Sequence, residues 1–304
     1  MLKGDPAMKV DLPTTSSADS VISVTGLSCH YKRTTALDDV TLHIPRGSVF
    51  GLVGENGAGK TTLIRHLLGL QRPQSGKVSV FGLDPVEDST TVLARLGYLS
   101  ETRDLAPWMT VAEMIRFTGA FYPKWDFDYA EELRAQFDLD PTAKIQTLSQ
   151  GQLAKSALLA ALAHRPELLV LDEPSSGLDP IVRRDILEAI IRTVADEGRT
   201  VLFSSHLLDE IERVSDFVGF LHRGKLALTG TMDEVKARHR VFTLVDASDW
   251  TDRTNVLSAV RHGDEWEVVA QGSVREKLNG SGARIVSERA ASLEDIFVGL
   301  ASGK

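Results

Sequence analysis

No stretch of this sequence approaches the ~20 consecutive apolar residues that cross a bilayer, so attachment to a membrane is expected only through a partner. Cysteine is nearly absent. The single Cys29 excludes a disulfide within the chain and leaves too few thiols for a cysteine-based metal site, which suits a reducing compartment. An excess of basic charge is missing too: 34 Lys and Arg stand against 42 Asp and Glu, a net charge of −8. That balance favours solubility and gives no overall attraction for nucleic acid, so no nucleic-acid partner is expected. Residues 1–20 lack the apolar centre of a secretory signal, and their Pro, Thr, Ser and Asp content reads as a disordered extension.

What is present is an ordinary globular composition, 42% hydrophobic and 25% charged over 304 residues, enough for one large domain and a small appendage. Apolar residues alternate from Val21 to Leu27 and from Val40 to Ile44, and Pro45-Arg46-Gly47 closes the second run before the apolar strand Val49 to Val53. Leu63, Ile64, Leu67 and Leu68 share one face of a predicted helix over Thr61 to Leu70, which Pro73 and Gly76 break ahead of a strand Lys77 to Phe81. A second amphipathic helix starts at Gln150 and stops near Pro166, and Leu168 to Leu171 reads as a buried strand. Helix Val182 to Ala195 and strand Thr200 to Ser204 repeat the alternation, which predicts the P-loop α/β class with a mainly parallel sheet covered on both faces. The stretch Thr110 to Ala143 reads as an inserted helical region. Beyond Lys236 the pattern changes, with strands expected at Val241 to Val245 and Trp266 to Ala270 and a closing helix at Ser292 to Leu300.

Two segments carry phosphate chemistry. Gly54 to Thr61 fits G-x-x-x-x-G-K-[ST] between an apolar strand and a helix. Glycines at such spacing let successive N–H groups face the phosphates, a helix N-terminus adds positive potential, Lys60 supplies a cation, and Thr61 a hydroxyl for Mg²⁺. Leu168 to Pro174 then places Asp172 and Glu173 at the end of a buried strand, where ionised groups are costly unless they meet a cation. Asp172 is suited to hold Mg²⁺ through water and Glu173 to polarise an attacking water.

Leu148-Ser149-Gln150-Gly151-Gln152 resembles the LSGGQ signature of the ABC ATPases, with Gln150 where that family most often has Gly. Read alone, the segment is equally a helix N-cap, since both uses draw on the same N–H groups. The resemblance runs from Val21 to Arg238 and implies an ABC ATPase domain over 21–238, with an antiparallel β subdomain and a helical subdomain at about 102–150. A C-terminal α+β accessory subdomain over 239–304 would follow. The resemblance further implies a nucleotide contact set of Gly54, Asn56, Gly57, Ala58, Gly59, Lys60, Thr61 and Thr62, with Tyr31 stacking on adenine; a packed strand-end tyrosine is the competing reading. Ser149, Gly151 and Asp179 would reach ATP bound to a second chain. His206, in Ser204-Ser-His206, would contact the γ-phosphate beside Glu173. At the position where the family usually has Gln, Gly97-Tyr-Leu-Ser-Glu101 keeps an oxygen ligand for Mg²⁺ but gives it charge.

Partners implied in this way are a second ATPase subunit and an integral membrane permease, on the cytoplasmic face of the cell membrane. Pro107, Trp108, Met109, Phe121, Tyr122 and Trp125 mark the region where a permease would dock. The tail ending Ser292-Leu-Glu-Asp-Ile-Phe297 resembles the type-2 exporter group, and Phe121 to Asp126 resembles a subgroup tied to acetoin utilisation or antibiotic-responsive export, which favours export over import. Soluble ABC ATPases of repair, translation or iron–sulfur assembly, and a nucleotide-gated regulatory module, stay open as alternatives, although neither a second ATPase domain nor a long coiled coil is legible.

Overall fold

A computed structural model describes residues 20–32, 34–195, 198–245, 254–280 and 283–302. The expected disordered extension therefore lies outside the described residues, except for Ser20. Two compact units part between Leu226 and Ala227.

In the first unit, β1 (Ser20–Tyr31) and β2 (Thr34–Pro45) form a long bulged antiparallel pair ahead of β3 (Val49–Val53). After β3 come α1 (Lys60–Leu67), β4 (Ser75–Val80), α2 (Ser89–Leu93) and β5 (Leu96–Leu99). The helical region holds α3 (Val111–Gly119), α4 (Phe127–Gln136) and α5 (Gln150–Leu162), each opened by a side-chain cap from Thr110, Asp126 or Ser149. The chain returns through β6 (Leu168–Asp172), α6 (Pro180–Ala195), β7 (Thr200–Ser205), α7 (Leu208–Val214), β8 (Phe217–His222) and β9 (Lys225–Thr231), the last of which straddles the unit boundary.

Two sheets result. One is antiparallel, in the order β2-β1-β4; the other runs β5-β6-β7-β3-β8-β9, with parallel pairing from β5 through to β8. Every residue of β3, β6 and β7 is buried, which is why these strands read as continuous apolar runs rather than alternating ones. One apolar cluster joins both sheets to α1 through residues such as Ile22, Leu42, Phe50, Leu63, Val80 and Leu202.

Several predicted boundaries shift. The helix expected to reach Leu70 ends at Leu67: Gly69, at φ 69°, donates to His66 O while Leu70 N–H donates to Arg65 O, a Schellman closure. Helix α6 starts two residues before the expected Val182, at Pro180, a favoured first helical residue. β7 runs one residue past the expected Ser204.

The second unit contains α8 (Met232–Arg238) and then β10 (His239–Val245), β11 (Val256–His262), β12 (Glu265–Gln271), α9 (Arg275–Gly280), β13 (Arg284–Ala290) and α10 (Leu293–Ser302). Its four strands are antiparallel in the order β11-β12-β10-β13, around Phe242, Leu244, Val268, Ala270, Val274 and Leu278. Among the described residues no helix is long and apolar enough to cross a membrane.

Candidate functional site

Parallel register sets the site. Val53 lies opposite Ser205, and Asp172 opposite Ser204, so the residues that follow, Gly54, Glu173 and His206, leave the sheet side by side at its carboxyl edge. Open α/β sheets bind ligands at that edge. β5 ends there too, with Leu99 opposite Leu171, which brings Ser100 and Glu101 alongside.

The glycine loop curls back on itself through Ala58 N–H donating to Glu55 O at 3.0 Å, and Gly224 N–H donates to Ala58 O at 3.0 Å to anchor it. Asn56 and Gly57 are exposed, and Ala58 is buried. Gly59 sits at φ 112°, and a Cβ there would lie 2.4 Å from the Ala36 carbonyl oxygen, so no side chain fits. Gly59 begins α1 with no side-chain cap and no acidic residue in the first turn. The leading N–H groups and the positive end of the helix dipole thus face no competing carboxylate from their own turn. Thr61 is exposed and Thr62 half-buried.

Lys60 is only 6% exposed. Its Nζ donates to Gly54 O at 2.5 Å and lies 3.0 Å from Glu173 Oε1, an ion pair with both side chains almost out of solvent. The other oxygen, Glu173 Oε2, accepts from His206 Nδ1 at 2.7 Å and from the His206 backbone N–H at 3.3 Å. A carboxylate only accepts, so the imidazole hydrogen of this contact sits on Nδ1. Ser204 completes the cluster: its Oγ donates to Asp172 Oδ1 at 2.7 Å and accepts from Glu173 N–H at 3.0 Å. Glu173 itself is held at φ 50°, a left-handed conformation that turns its side chain back over the strand ends.

A cleft of about 630 Å³ opens beside this cluster and is lined by Thr61, Tyr98, Glu101, Asp104, Tyr122 and Asp172, among others. Burial, reinforced by the Asp172 carboxylate, pushes the Tyr98 phenol up to about 12. Thr61, Glu101 and Asp172 thus line the same cleft. Hard oxygen donors of this kind fit Mg²⁺, which takes one or two protein carboxylates and completes its shell with water and phosphate. No cluster of three or more His, Cys, Asp or Glu suited to a metal occurs among the described residues.

The remaining expected residues stand on other elements. Ser149 caps α5: its Oγ accepts from Gln152 N–H at 3.2 Å while Gln152 Oε1 accepts from Ser149 N–H at 3.0 Å. Gly151 is buried against α6, where a Cβ would meet Val182 Cγ2 at 2.7 Å, so helix packing alone requires glycine there. Asp179 caps the start of α6 by accepting from Ile181 and Val182 N–H at 3.0 and 3.1 Å. Tyr31, 43% exposed, ends β1 and donates from Oη to Gln71 Oε1 at 2.5 Å.

A family model described as ABC transporter matches residues 37–176. The bacitracin transport ATP-binding protein BcrA of Enterococcus faecalis is 32% identical over 257 residues, 84% of this chain and 83% of BcrA. The chain belongs to the ATP-binding proteins of ABC transporters. Daunorubicin resistance ATP-binding protein DrrA3 of Streptomyces coeruleorubidus is 35% identical over 72% of this chain and 71% of its own length. A solved ATP-binding subunit of an ABC transporter, 31% identical, superposes with a TM-score of 0.66 over 71% of this chain and 92% of its own. The chain is thus an ATPase with the P-loop ABC fold, the ATP-binding and ATP-hydrolysing subunit of a transporter.

Sequence reasoning passed over several polar residues that this ATPase buries beside its strand ends. Arg103, at φ 50°, donates from Nη2 to Pro174 O and Ser176 O at 3.1 and 2.6 Å. Glu210 on α7 is 1% exposed; burial raises its pKa, opposed by hydrogen bonds from Ser175 and Ser205 and by Arg183. The available signal was spacing: Glu210 lies one helical turn past His206 on the segment that leaves β7.

Proposed function

We propose that Lys60, Glu173 and His206 carry out ATP hydrolysis in a site completed by a second copy or homologue of this chain, and that the cycle drives an integral membrane permease in export. The observation that carries this reading is the chain of contacts Lys60–Glu173–His206, which joins three loops at one sheet edge.

The N–H groups from Gly54 to Thr62 and the start of α1 receive the β- and γ-phosphates, with Lys60 as their cation. Tyr31 offers its ring to adenine. Thr61, Glu101 and Asp172 hold Mg²⁺, which when bound offsets phosphate charge. As the γ-phosphate draws Lys60 away, Glu173 Oε1 loses its ion-pair partner and becomes the acceptor for a proton of the attacking water. His206 keeps Oε2 engaged, so the carboxylate presents one oxygen in one orientation. Ser149, Gly151 and Asp179, exposed or at helix starts, approach the γ-phosphate of the facing chain. ATP then favours the closed pair, and its loss lets the two chains part.

The exposed rings of Trp108 and Phe121, 70% and 69% accessible, support docking of a permease on the helical subdomain. That subdomain, at about 102–150, belongs to an ATPase domain over 21–238, with 239–304 as an accessory subdomain. A peripheral place on the cytoplasmic face of the cell membrane follows from the permease. Export is favoured by relatives named for bacitracin transport and daunorubicin resistance.

Glu173→Gln tests the scheme. Loss of the acceptor should lower turnover by about 10²–10⁴-fold, the span of general-base contributions, while ATP binding persists and an ATP-dependent dimer accumulates in size-exclusion chromatography with light scattering. A monomeric variant with normal turnover contradicts it.

A further inference from the structure

The loop Pro174–Ser176 connects the catalytic carboxylates to Asp179, and it is held by side chains from two other loops of the site. Arg103, two residues past Glu101 and 7% exposed, donates from a single nitrogen to the carbonyls of Pro174 and Ser176. Glu210 holds the same loop from α7: its Oε2 accepts from Ser175 Oγ at 2.6 Å and from Ser205 Oγ at 3.1 Å. Its Oε1 lies 3.2 Å from Arg183 Nε, on the helix that Asp179 caps. Ser205 Oγ in turn accepts from Leu207 N–H at 3.0 Å, so the hydroxyl that binds Glu210 also fixes the backbone on the far side of His206.

Neither Arg103 nor Glu210 has a part in the hydrolysis scheme, yet both are buried charges, which persist only when their partners hold them. One carboxylate oxygen shared by Ser175 and Ser205 cannot keep both short contacts if either loop moves alone. We propose that Arg103 and Glu210 are positioning residues that tie the loop Pro174–Ser176 to the segments carrying Glu101 and His206, so that these three segments shift together during turnover. The metal-side segment, the catalytic histidine and the residues that approach the second chain would then change state in one step. This rests on the hydrolysis reading above.

Steady-state ATP turnover of the full-length chain with Mg²⁺ tests it. Glu210→Ala and Ser175→Ala should each lower kcat by about tenfold or more and leave KM for ATP within about threefold, the pattern of a lost transition-state arrangement rather than lost binding. Glu210→Gln keeps an oxygen acceptor for both hydroxyls and should restore kcat to within about threefold of the parent. The double variant Glu210→Ala with Ser175→Ala should be no slower than Glu210→Ala alone, because both break one link. If Glu210→Ala does not fold, Ser175→Ala and Arg103→Met decide. Turnover within about twofold of the parent in both, or strictly additive losses in their double variant, overturns the proposal. Lys60→Ala is the control: full turnover there removes the hydrolysis reading and this proposal with it. A dead Lys60→Ala beside normal network variants removes the coupling alone.

Discussion

Lys60 and Glu173 face each other with side chains 7% and 6% exposed, and removing one of them leaves the other as a buried charge. Breaking such a pair from one side typically destabilises by about 3–5 kcal/mol, because the survivor keeps its desolvation without its partner. For a unit of this size each kcal/mol moves the melting point by about 2–4 °C, so Lys60→Ala should melt about 6–20 °C below the parent without nucleotide. Glu173→Gln should lose less, since Lys60 still donates to Gly54 O. The double variant Lys60→Ala with Glu173→Gln removes both charges and should recover at least half of the Lys60→Ala loss, a coupling of about 1–3 kcal/mol between contacting groups. Scanning calorimetry of the four proteins closes the cycle. Adding ATP then separates binding from folding, because a ligand at about 100 times its Kd adds about 2.7 kcal/mol only to proteins that bind it. Glu173→Gln should gain that increment and Lys60→Ala should not. A Lys60→Ala protein melting within about 2 °C of the parent, or a double variant no more stable than Lys60→Ala, refutes the buried-pair argument.

Gly59→Ala combines a left-handed φ, about 1–2 kcal/mol for a residue with a Cβ, with overlap on the Ala36 carbonyl. It should abolish ATP binding in a fluorescence titration. Ser149→Ala should lose about 1 kcal/mol of cap, whereas Ser149→Asp should keep the melting point yet lose the ATP-dependent dimer, since a carboxylate caps a helix but repels phosphate. Buried His164 is lowered from 6.5 to about 4, chiefly by desolvation, while its ring stacks on Tyr122 at 3.9 Å. Only the unfolded chain binds that proton between those values, so stability should fall as pH drops from 6.5 towards 4, by about 3 kcal/mol in all. His164→Phe should flatten that slope in denaturant melts followed across the range.

Much of the first unit is legible in the sequence because its central strands are buried on both faces. Val49 to Val53 and Leu168 to Leu171 stand out as apolar runs, and glycine, Lys60, Asp172 and Glu173 mark their ends. β5 is passed over because four residues, Leu-Gly-Tyr-Leu, are too few to show a period. β11 and β13 are missed for a different reason. Arg284–Ala290 is an edge strand with six of its seven residues exposed, so nothing in its side chains alternates between core and solvent. β10 and β12, which supply Phe242, Leu244, Val268 and Ala270 to the second core, were legible by the same logic.

In the site, the charges of Asp172 and Glu173 were legible, while Glu210 and the groups that hold all three were not. Asp172, Glu173 and Glu210 are carboxylates at 4% exposure or less, each of which has to find donors within the protein. For Asp172 and Glu210 those donors include the hydroxyls of Ser204, Ser175 and Ser205. A serine hydroxyl donates and accepts at once, so Ser204 can serve the carboxylate of Asp172 while receiving the N–H of Glu173, and one small side chain locks two catalytic positions. Serine is also common in turns and caps, so its presence in a sequence gives no warning of a buried role. That asymmetry explains why the motif residues could be named in advance while their linkage could not. Parallel register alone brings Ser204 beside Asp172 and Ser205 beside Val53, and register is a property of strand order, which local sequence does not encode.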